Sequence, residues 1–280
     1  MSFRERARNG AARRMRAALL RSARRSFPAL GVEHPAGTFV LPSDDGTILG
    51  KLYVDRRRSD FVVLARALQV IDDRRGTFID VGANLGTTTL AAVRLHGFTR
   101  AVACEPDPDN ARFLRATVAV NGLDDRISVV EAAVSDHVGE ASFAARRAEG
   151  GRRMSGAGGL AGQGDLRVRV TTLDQLAQDG VYEPREVGLL WMDAQGAEGH
   201  ALAGATSLAA VPVVTALRSR RLAKLDGLDL FREVVTQRFA SFVELRGDDL
   251  AGAWSPKREP VSDIERLIGI PESTDVLLLP

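Results

Sequence analysis

The residues of this 280-residue chain that are equipped for chemistry fall into three short groups. The first is Phe78-Ile79-Asp80-Val81-Gly82-Ala83-Asn84-Leu85-Gly86, followed by Thr87-Thr88-Thr89-Leu90-Ala91. An apolar strand ends at an acid, a glycine turn follows, and a helix begins. Gly82 and Gly86 are expected to let the backbone approach a ligand that a Cβ would block. The helix start at Thr87 offers unpaired N–H groups to an anion. Asp80, with Ala83 and Asn84 in the turn after it, is placed to accept hydrogen bonds from an ammonium group. The second group is Cys104-Glu105-Pro106, at the end of the next strand. An acid in that place can take both hydroxyls of a ribose, at the roughly 20-residue offset known from dinucleotide sites. A surface turn would explain either group alone. Together, on successive strands, they point to a nucleotide-type cofactor.

The turn also separates one cofactor from another. Nicotinamide enzymes use Gly-x-Gly-x-x-Gly after the first strand, whose middle glycine lets a pyrophosphate lie against the backbone. Here Asn84 stands in that place, and no Gly-Lys-Ser/Thr follows to make a phosphate-binding loop. S-adenosylmethionine has no pyrophosphate, and its carboxylate, ammonium and ribose suit the helix start, Asp80 and Glu105. An NAD-dependent oxidoreductase is the weaker alternative.

The third group is Met192-Asp193-Ala194-Gln195-Gly196-Ala197-Glu198, with His200 one helical step further. In open α/β sheets the site lies beyond the carboxyl ends of the strands. Asp193 is therefore the leading candidate for base or acceptor anchor, although capping the next helix would explain it too. Glu198 falls in that helix's first turn, where the dipole favours an acid anyway. His200 is a further candidate base, its ordinary pKa being near neutrality. No metal site is expected: His34, His96 and His137 share no ligand spacing, and Asp193 with Glu198 makes a poor cation pair.

These groups need a scaffold of parallel strands, and the chain supplies the pattern. Apolar runs alternate with amphipathic stretches, which argues for βαβ units. Strands are expected at Thr77–Val81, Arg100–Cys104, Ile127–Val130, Val187–Met192, Val211–Leu217, Phe242–Leu245 and Asp275–Leu279. Helices are expected at Phe61–Ile71, Thr87–Leu95, Asp107–Asn121, Ala197–Ala210 and Leu228–Phe239. Thr38–Val40 and Ile48–Tyr53 read as two further strands around the turn Ser43-Asp44-Asp45-Gly46. Residues 149–165 hold seven glycines and read as a mobile loop or substrate lid. Asp248–Pro260 reads as an irregular connection.

The net charge of +2 hides a division. Nine arginines against Glu5 give residues 1–25 a charge of +8, so the remainder carries −6. Residues 1–36 are expected to form a basic, partly helical or disordered arm, and 37–280 the catalytic domain. The arm is a solvated extension or a contact for an acidic partner or membrane surface. Only Ala17, Ala18, Leu19 and Leu20 follow its basic stretch, too few for a secretory signal. The lone Cys104 excludes an internal disulfide framework and suits a cytoplasmic location.

Taken in order, these blocks resemble the FkbM-type methyltransferase family. The likeness runs from Asp80–Gly86 through Glu105-Pro106-Asp107-Pro108-Asp109-Asn110, Asn121-Gly122-Leu123 and Ala133-Val134-Ser135-Asp136. It continues through Thr172-Leu173-Asp174-Gln175-Leu176 and closes on Met192–Glu198 and Leu202-Ala203-Gly204-Ala205. The resemblance implies a class I S-adenosylmethionine methyltransferase: a Rossmann-like α/β fold with a seven-stranded, mostly parallel sheet whose last strand is antiparallel. It also implies O-methylation of a small molecule, either a sugar, a glycan or a specialised metabolite. Gln195 stands where the family usually has glutamate, Trp191 replaces the usual lysine, and Ala216 and Leu217 follow a strand that normally leads to glutamate. A catalytically weak or inactive cofactor-binding partner is thus the alternative. A nucleic-acid substrate is disfavoured, since no Asn/Asp-Pro-Pro-Tyr follows the fourth core strand.

Overall fold

The structure, a computed structural model, describes residues 3–55, 59–71, 76–144, 159–160, 166–246, 254–268 and 274–280. Helix α1 (Phe3–Ser26) leads into an antiparallel hairpin of β1 (Ala29–His34) and β2 (Gly37–Pro42). The domain boundary expected between residues 36 and 37 falls in the turn of this hairpin. Val32, Ala36, Phe39 and Leu41 are all buried in the main core, to which Leu20 of α1 also belongs.

Ile48–Tyr53, expected as a strand, is helical. Asp45 Oδ1 accepts the backbone N–H groups of Thr47, Ile48 and Leu49 at 2.9, 2.5 and 3.1 Å. An acid that collects successive amides starts a helical turn whatever the β-propensity of the residues it caps. The turn runs on as a short π-helix, Gly50–Asp55, and α2 follows at Ser59–Ala67.

From there strand and helix alternate: β3 (Thr77–Val81), α3 (Thr87–Leu95), β4 (Arg100–Cys104), α4 (Pro108–Val120) and β5 (Ile127–Val130). After them come β6 (Ala133–Val134), β7 (Gly139–Ala144), β8 (Gly159–Leu160), β9 (Leu166–Thr171), α5 (Leu173–Gln178) and β10 (Val187–Met192). The last third holds α6 (Glu198–Ala203), β11 (Val213–Leu217), α7 (Ser219–Lys224), α8 (Leu228–Arg238), β12 (Ser241–Glu244), β13 (Arg258–Pro260), α9 (Glu265–Ile268) and β14 (Thr274–Leu279).

The large sheet has the order β13-β12-β14-β11-β10-β3-β4-β5. Strands β5, β4, β3, β10 and β11 are parallel neighbours, and β14 runs antiparallel between β11 and β12. This is the implied seven-stranded sheet with its last strand reversed. An eighth, three-residue strand, β13, is added at the edge from within the stretch read as irregular. Side chains alternate between two cores: Phe78, Leu189 and Trp191 pack on one face, Ile79, Val81, Leu190 and Met192 on the other. That two-sided burial is why β3 and β10 read as unbroken apolar runs.

A second sheet, β6-β9-β7-β8, lies outside this frame. The glycine-rich stretch 149–165 falls outside the described residues except for Gly159 and Leu160. Helix α6 is shorter than expected and stops at Gly204, where a Cβ would meet the Ser135 carbonyl oxygen at 2.1 Å. No helix among the described residues is long and apolar enough to cross a membrane.

Candidate cofactor and acceptor site

Chain order reverses between β3 and β10, which opens a crevice beyond their carboxyl ends. A cavity of about 290 Å³ occupies it. Asp80, Gly82, Ala83, Asn84, Thr87, Glu105, Pro106 and Asp193 line this cavity, whereas Gly86, Glu198 and His200 do not.

Asp80 is almost wholly buried near the end of β3, where Thr89 Oγ1 of α3 donates to its Oδ2 at 2.5 Å. Burial pushes its pKa up to about 7; the Thr89 hydrogen bond opposes this and the charge of Asp193 adds to it. Glu105 stands at the tip of β4. Its Oε2 accepts the Asn84 N–H at 2.7 Å, and its Oε1 accepts the Asp107 N–H at 2.9 Å and the Asn110 amide at 3.3 Å. Burial again dominates and holds this carboxyl at about 7, with the two backbone donors pulling the other way. Glu105 thus fastens the glycine turn from across the sheet, a task that its position alone does not reveal. Cys104 is buried in the core beside it, its thiol pushed up to about 12 by burial.

The glycines also serve the protein's own packing. Gly82 and Gly86 have φ of 81° and 77°, where side chains are strained. A Cβ on Gly82 would meet the Asp193 carbonyl oxygen at 2.3 Å, and one on Gly86 would meet Leu114 Cδ1 at 2.2 Å. Both keep room for the protein's own packing, of β3 against the loop after β10 and of α3 against α4. A nucleoside-type cofactor still fits the remaining chemistry. Among the described residues, Asn84 Oδ1 is buried without a partner, Glu105 Oε2 accepts one donor, and α3 begins with no side-chain cap on its first amides. These are acceptors and donors that a ribose, an ammonium and a carboxylate would satisfy.

The other half of the cavity centres on Asp193. Gln195 Nε2 donates to its Oδ1 at 2.5 Å, and Arg218, from the end of β11, forms an ion pair with the same carboxylate. The second Arg218 nitrogen donates to Oδ2 at 3.4 Å, so the guanidinium holds both oxygens, and Oδ2 keeps acceptor capacity on a side chain 38% exposed. Gln195 takes a left-handed φ of 57° and accepts from Arg221, so its amide bridges an acid and a guanidinium.

Glu198 and His200, the other two expected catalytic candidates, lie outside the cavity lining. Glu198 is fully buried, accepts the Gly196 N–H at 2.8 Å and so shapes the loop behind Asp193. Its Oε1 has no partner, and burial drives its pKa up to about 7. His200 contacts Asp136 through Nδ1 at 2.8 Å and the Leu225 carbonyl through Nε2 at 3.2 Å. Both ring nitrogens are occupied in joining the chain after β6 to the α7–α8 connection. Asp136 is pushed up by burial, but hydrogen bonds from His137 and His200 outweigh that and hold it at about 2.

Five charged residues that line the cavity fell outside the expected set: Asp45, Lys51, Asp60, Arg218 and Arg246. Arg218 follows β11 as Asp193 follows β10, and a polar residue at a strand's carboxyl end is a signal that could have found it. Asp45 had no such signal, since Ser-Asp-Asp-Gly reads as an ordinary turn. It is 1% exposed, and its Oδ2 has no partner. No group of three or more His, Cys, Asp or Glu side chains among the described residues could hold a metal ion.

A doubly wound sheet with an acid at two neighbouring strand tips, a glycine turn, and a polar cavity at the switch point is the class I methyltransferase fold. Residues 80–222 match the Methyltransferase FkbM domain, and the chain belongs to that family, whose cofactor is S-adenosylmethionine. Among solved structures, methyltransferase FkbM from Methylobacillus flagellatus KT is similar at 15% identity and a TM-score of 0.49, over 82% of this chain and 52% of that one. The present chain therefore spans about half the length of that relative. The O-methyltransferase from Bacillus cereus in complex with SAH is similar at 14% identity and a TM-score of 0.42, over 79% and 80% of the two chains. No curated protein sequence matches the chain.

Proposed function

We propose that this protein transfers a methyl group from S-adenosylmethionine to a hydroxyl of a small, polyhydroxylated acceptor such as a sugar, a glycan or a hydroxylated metabolite. One observation carries the reading: a single cavity is lined by Asp80, Asn84 and Glu105 and also by the Asp193–Arg218 pair, whose Oδ2 takes one long hydrogen bond and keeps acceptor capacity. The cofactor supplies an electrophilic methyl on a sulfonium, whose leaving thioether needs no acid.

The chain's own residues then have two tasks. Asp80, Asn84 and Glu105 orient the donor, and the opposite wall aligns the hydroxyl in line with it. Asp193 Oδ2 accepts the acceptor's O–H and takes its proton as the new bond forms. Arg218 stabilises negative charge building on that oxygen. Asp45 Oδ2, Thr47, Ser59 and Asp60 add hydrogen-bonding groups that suit a further hydroxyl rather than a flat aromatic ring.

The test is incubation of the full chain with methyl-labelled donor and a panel of methyl glycosides, polyols and phenols. Ether formation on an alcoholic hydroxyl is expected, and Asp193→Asn should lower turnover on the order of 10²- to 10⁴-fold while leaving S-adenosylhomocysteine affinity unchanged. Transfer only to amines or thiols would refute the hydroxyl assignment. The reading of a cofactor-binding partner without turnover has the double engagement of Asp193 Oδ1 on its side. Tight donor binding with no product on any acceptor, and activity gained in Gln195→Glu, would favour it.

A further inference from the structure

Helix α1 has two faces of different character. One is fastened to the body. Leu20 is buried, Arg13 pairs with Asp55 at 2.6 Å, Arg16 donates to the Val54 carbonyl at 2.9 and 3.1 Å, and Arg24 donates to the Ser43 carbonyl at 2.5 Å. At about 100° per residue these four positions share one side of the helix. The opposite side presents Met15 and Leu19 one turn apart, and Phe27 follows just past the helix end. They are 61%, 53% and 57% exposed, and make up half of the six exposed large apolar side chains among the described residues. Beside this stripe Arg14, Arg21 and Arg25 point into solvent, with no ion-pair partner among the described residues.

We infer that this outward face docks on an anionic membrane surface, with Met15, Leu19 and Phe27 entering the acyl boundary and Arg14, Arg21 and Arg25 on acidic lipid headgroups. The charge division supports it: +8 on residues 1–25 against −6 on the remainder draws the arm to a negative plane and holds the body off it. A nucleic acid or an acidic protein would reward the arginines alone. An apolar stripe flanked by arginines is rewarded in full only where anionic headgroups meet an apolar phase. The fastening of α1 to Ser43, Val54 and Asp55 means the docked helix carries the body with it rather than hanging as a free tail. The inference does not depend on the identity of the acceptor.

The test is co-sedimentation of the full chain with vesicles of phosphatidylcholine alone and of phosphatidylcholine with about one third phosphatidylglycerol, at low and physiological salt. Binding is expected to the anionic vesicles only, weakening as salt rises. Arg14→Gln, Arg21→Gln and Arg25→Gln together should weaken it on the order of a hundredfold, about fivefold for each charge removed. Met15→Ser with Leu19→Ser, which alters no charge, should weaken it about tenfold. All five side chains are solvent-facing, so circular dichroism and Tm should match the parent. A Phe27→Trp probe reads the contact on an otherwise unaltered chain, and its emission should shift to the blue on anionic vesicles. No binding to anionic vesicles would overturn the inference, as would an unshifted probe or full binding by the serine variant. Tighter binding to a duplex RNA than to the vesicles at the same salt would overturn it as well.

Discussion

Glu105 does two jobs that pull on the same carboxylate. It ties the Asn84 and Asp107 amides together, which fixes the turn, and it keeps capacity on Oε2 for a ligand. Hydrogen bonds to a charged acceptor are worth about 1.5–3 kcal/mol each, so Glu105→Gln should weaken S-adenosylhomocysteine binding about 10- to 100-fold by calorimetry. Glu105→Ala should weaken it further and lower Tm as well, because the two amides then lose their acceptor. Unchanged affinity in the glutamine variant would remove Glu105 from the cofactor site and leave it a turn clamp. Asp193 contrasts with it: half-exposed, held by a guanidinium and an amide on one oxygen and by a longer guanidinium hydrogen bond on the other.

At the scale of elements, the site depends on how closely β3, β10 and α3 approach one another. The Asp193 N–H donates to the Val81 carbonyl at 2.9 Å, and the Asp193 carbonyl lies where a Cβ on Gly82 would stand. Gly82→Ala therefore forces a side chain into left-handed backbone against a carbonyl that cannot move without displacing Asp193. A loss of about 3 kcal/mol or more is expected, with Tm falling by roughly 10 °C and turnover falling too. Gly86→Ala meets only the tip of the Leu114 side chain and should cost less, about 1–2 kcal/mol. Equal losses in the two variants would show that backbone strain alone decides.

The β3–turn–α3 unit and the tip of β4 were legible because glycines, an acid and a helix start in sequence leave few other readings. The capped turn at Ile48–Tyr53 was not, since its apolar residues Ile48, Leu49, Leu52 and Tyr53 resemble a strand and only Asp45 in three dimensions reveals the cap. Strand β9 carries a period-two signal, Leu166-Arg167-Val168-Arg169-Val170, which the glycine run beside it obscures. Arg218's partnership with Asp193 spans 25 positions, a distance at which sequence pattern is silent. His200 shows the converse: the right chemistry in the right neighbourhood, turned toward Asp136 by packing.

Over the whole molecule, the buried acids set how stability answers to pH. Asp80, Glu105 and Glu198 are each raised to about 7, mainly by burial, and burial raises Asp275 as well. A carboxyl held above its ordinary value binds its proton more tightly in the folded chain than in the unfolded one. Its contribution is full below the ordinary value near 4 and is lost as pH rises through 7. Asp136, held at about 2, works in the opposite sense: its contribution is present above 4 and lost as pH falls toward 2. Stability of the ligand-free protein should therefore peak between about pH 4 and 5 and fall toward pH 8, each buried acid contributing about 1 kcal/mol per pH unit while it titrates. With Asp80 and Glu105 holding the cofactor as proposed, its ammonium and ribose hydroxyls would favour their ionised forms and reverse part of this trend. Saturating S-adenosylhomocysteine should raise Tm more at pH 8 than at pH 5.5, and its affinity should fall as pH drops below 7. Thermal scans across that range with and without ligand measure both trends. A Tm that climbs steadily from pH 5 to pH 8 without ligand would mean that these carboxyls are ionised in the fold, and the burial argument for the site would fail with it.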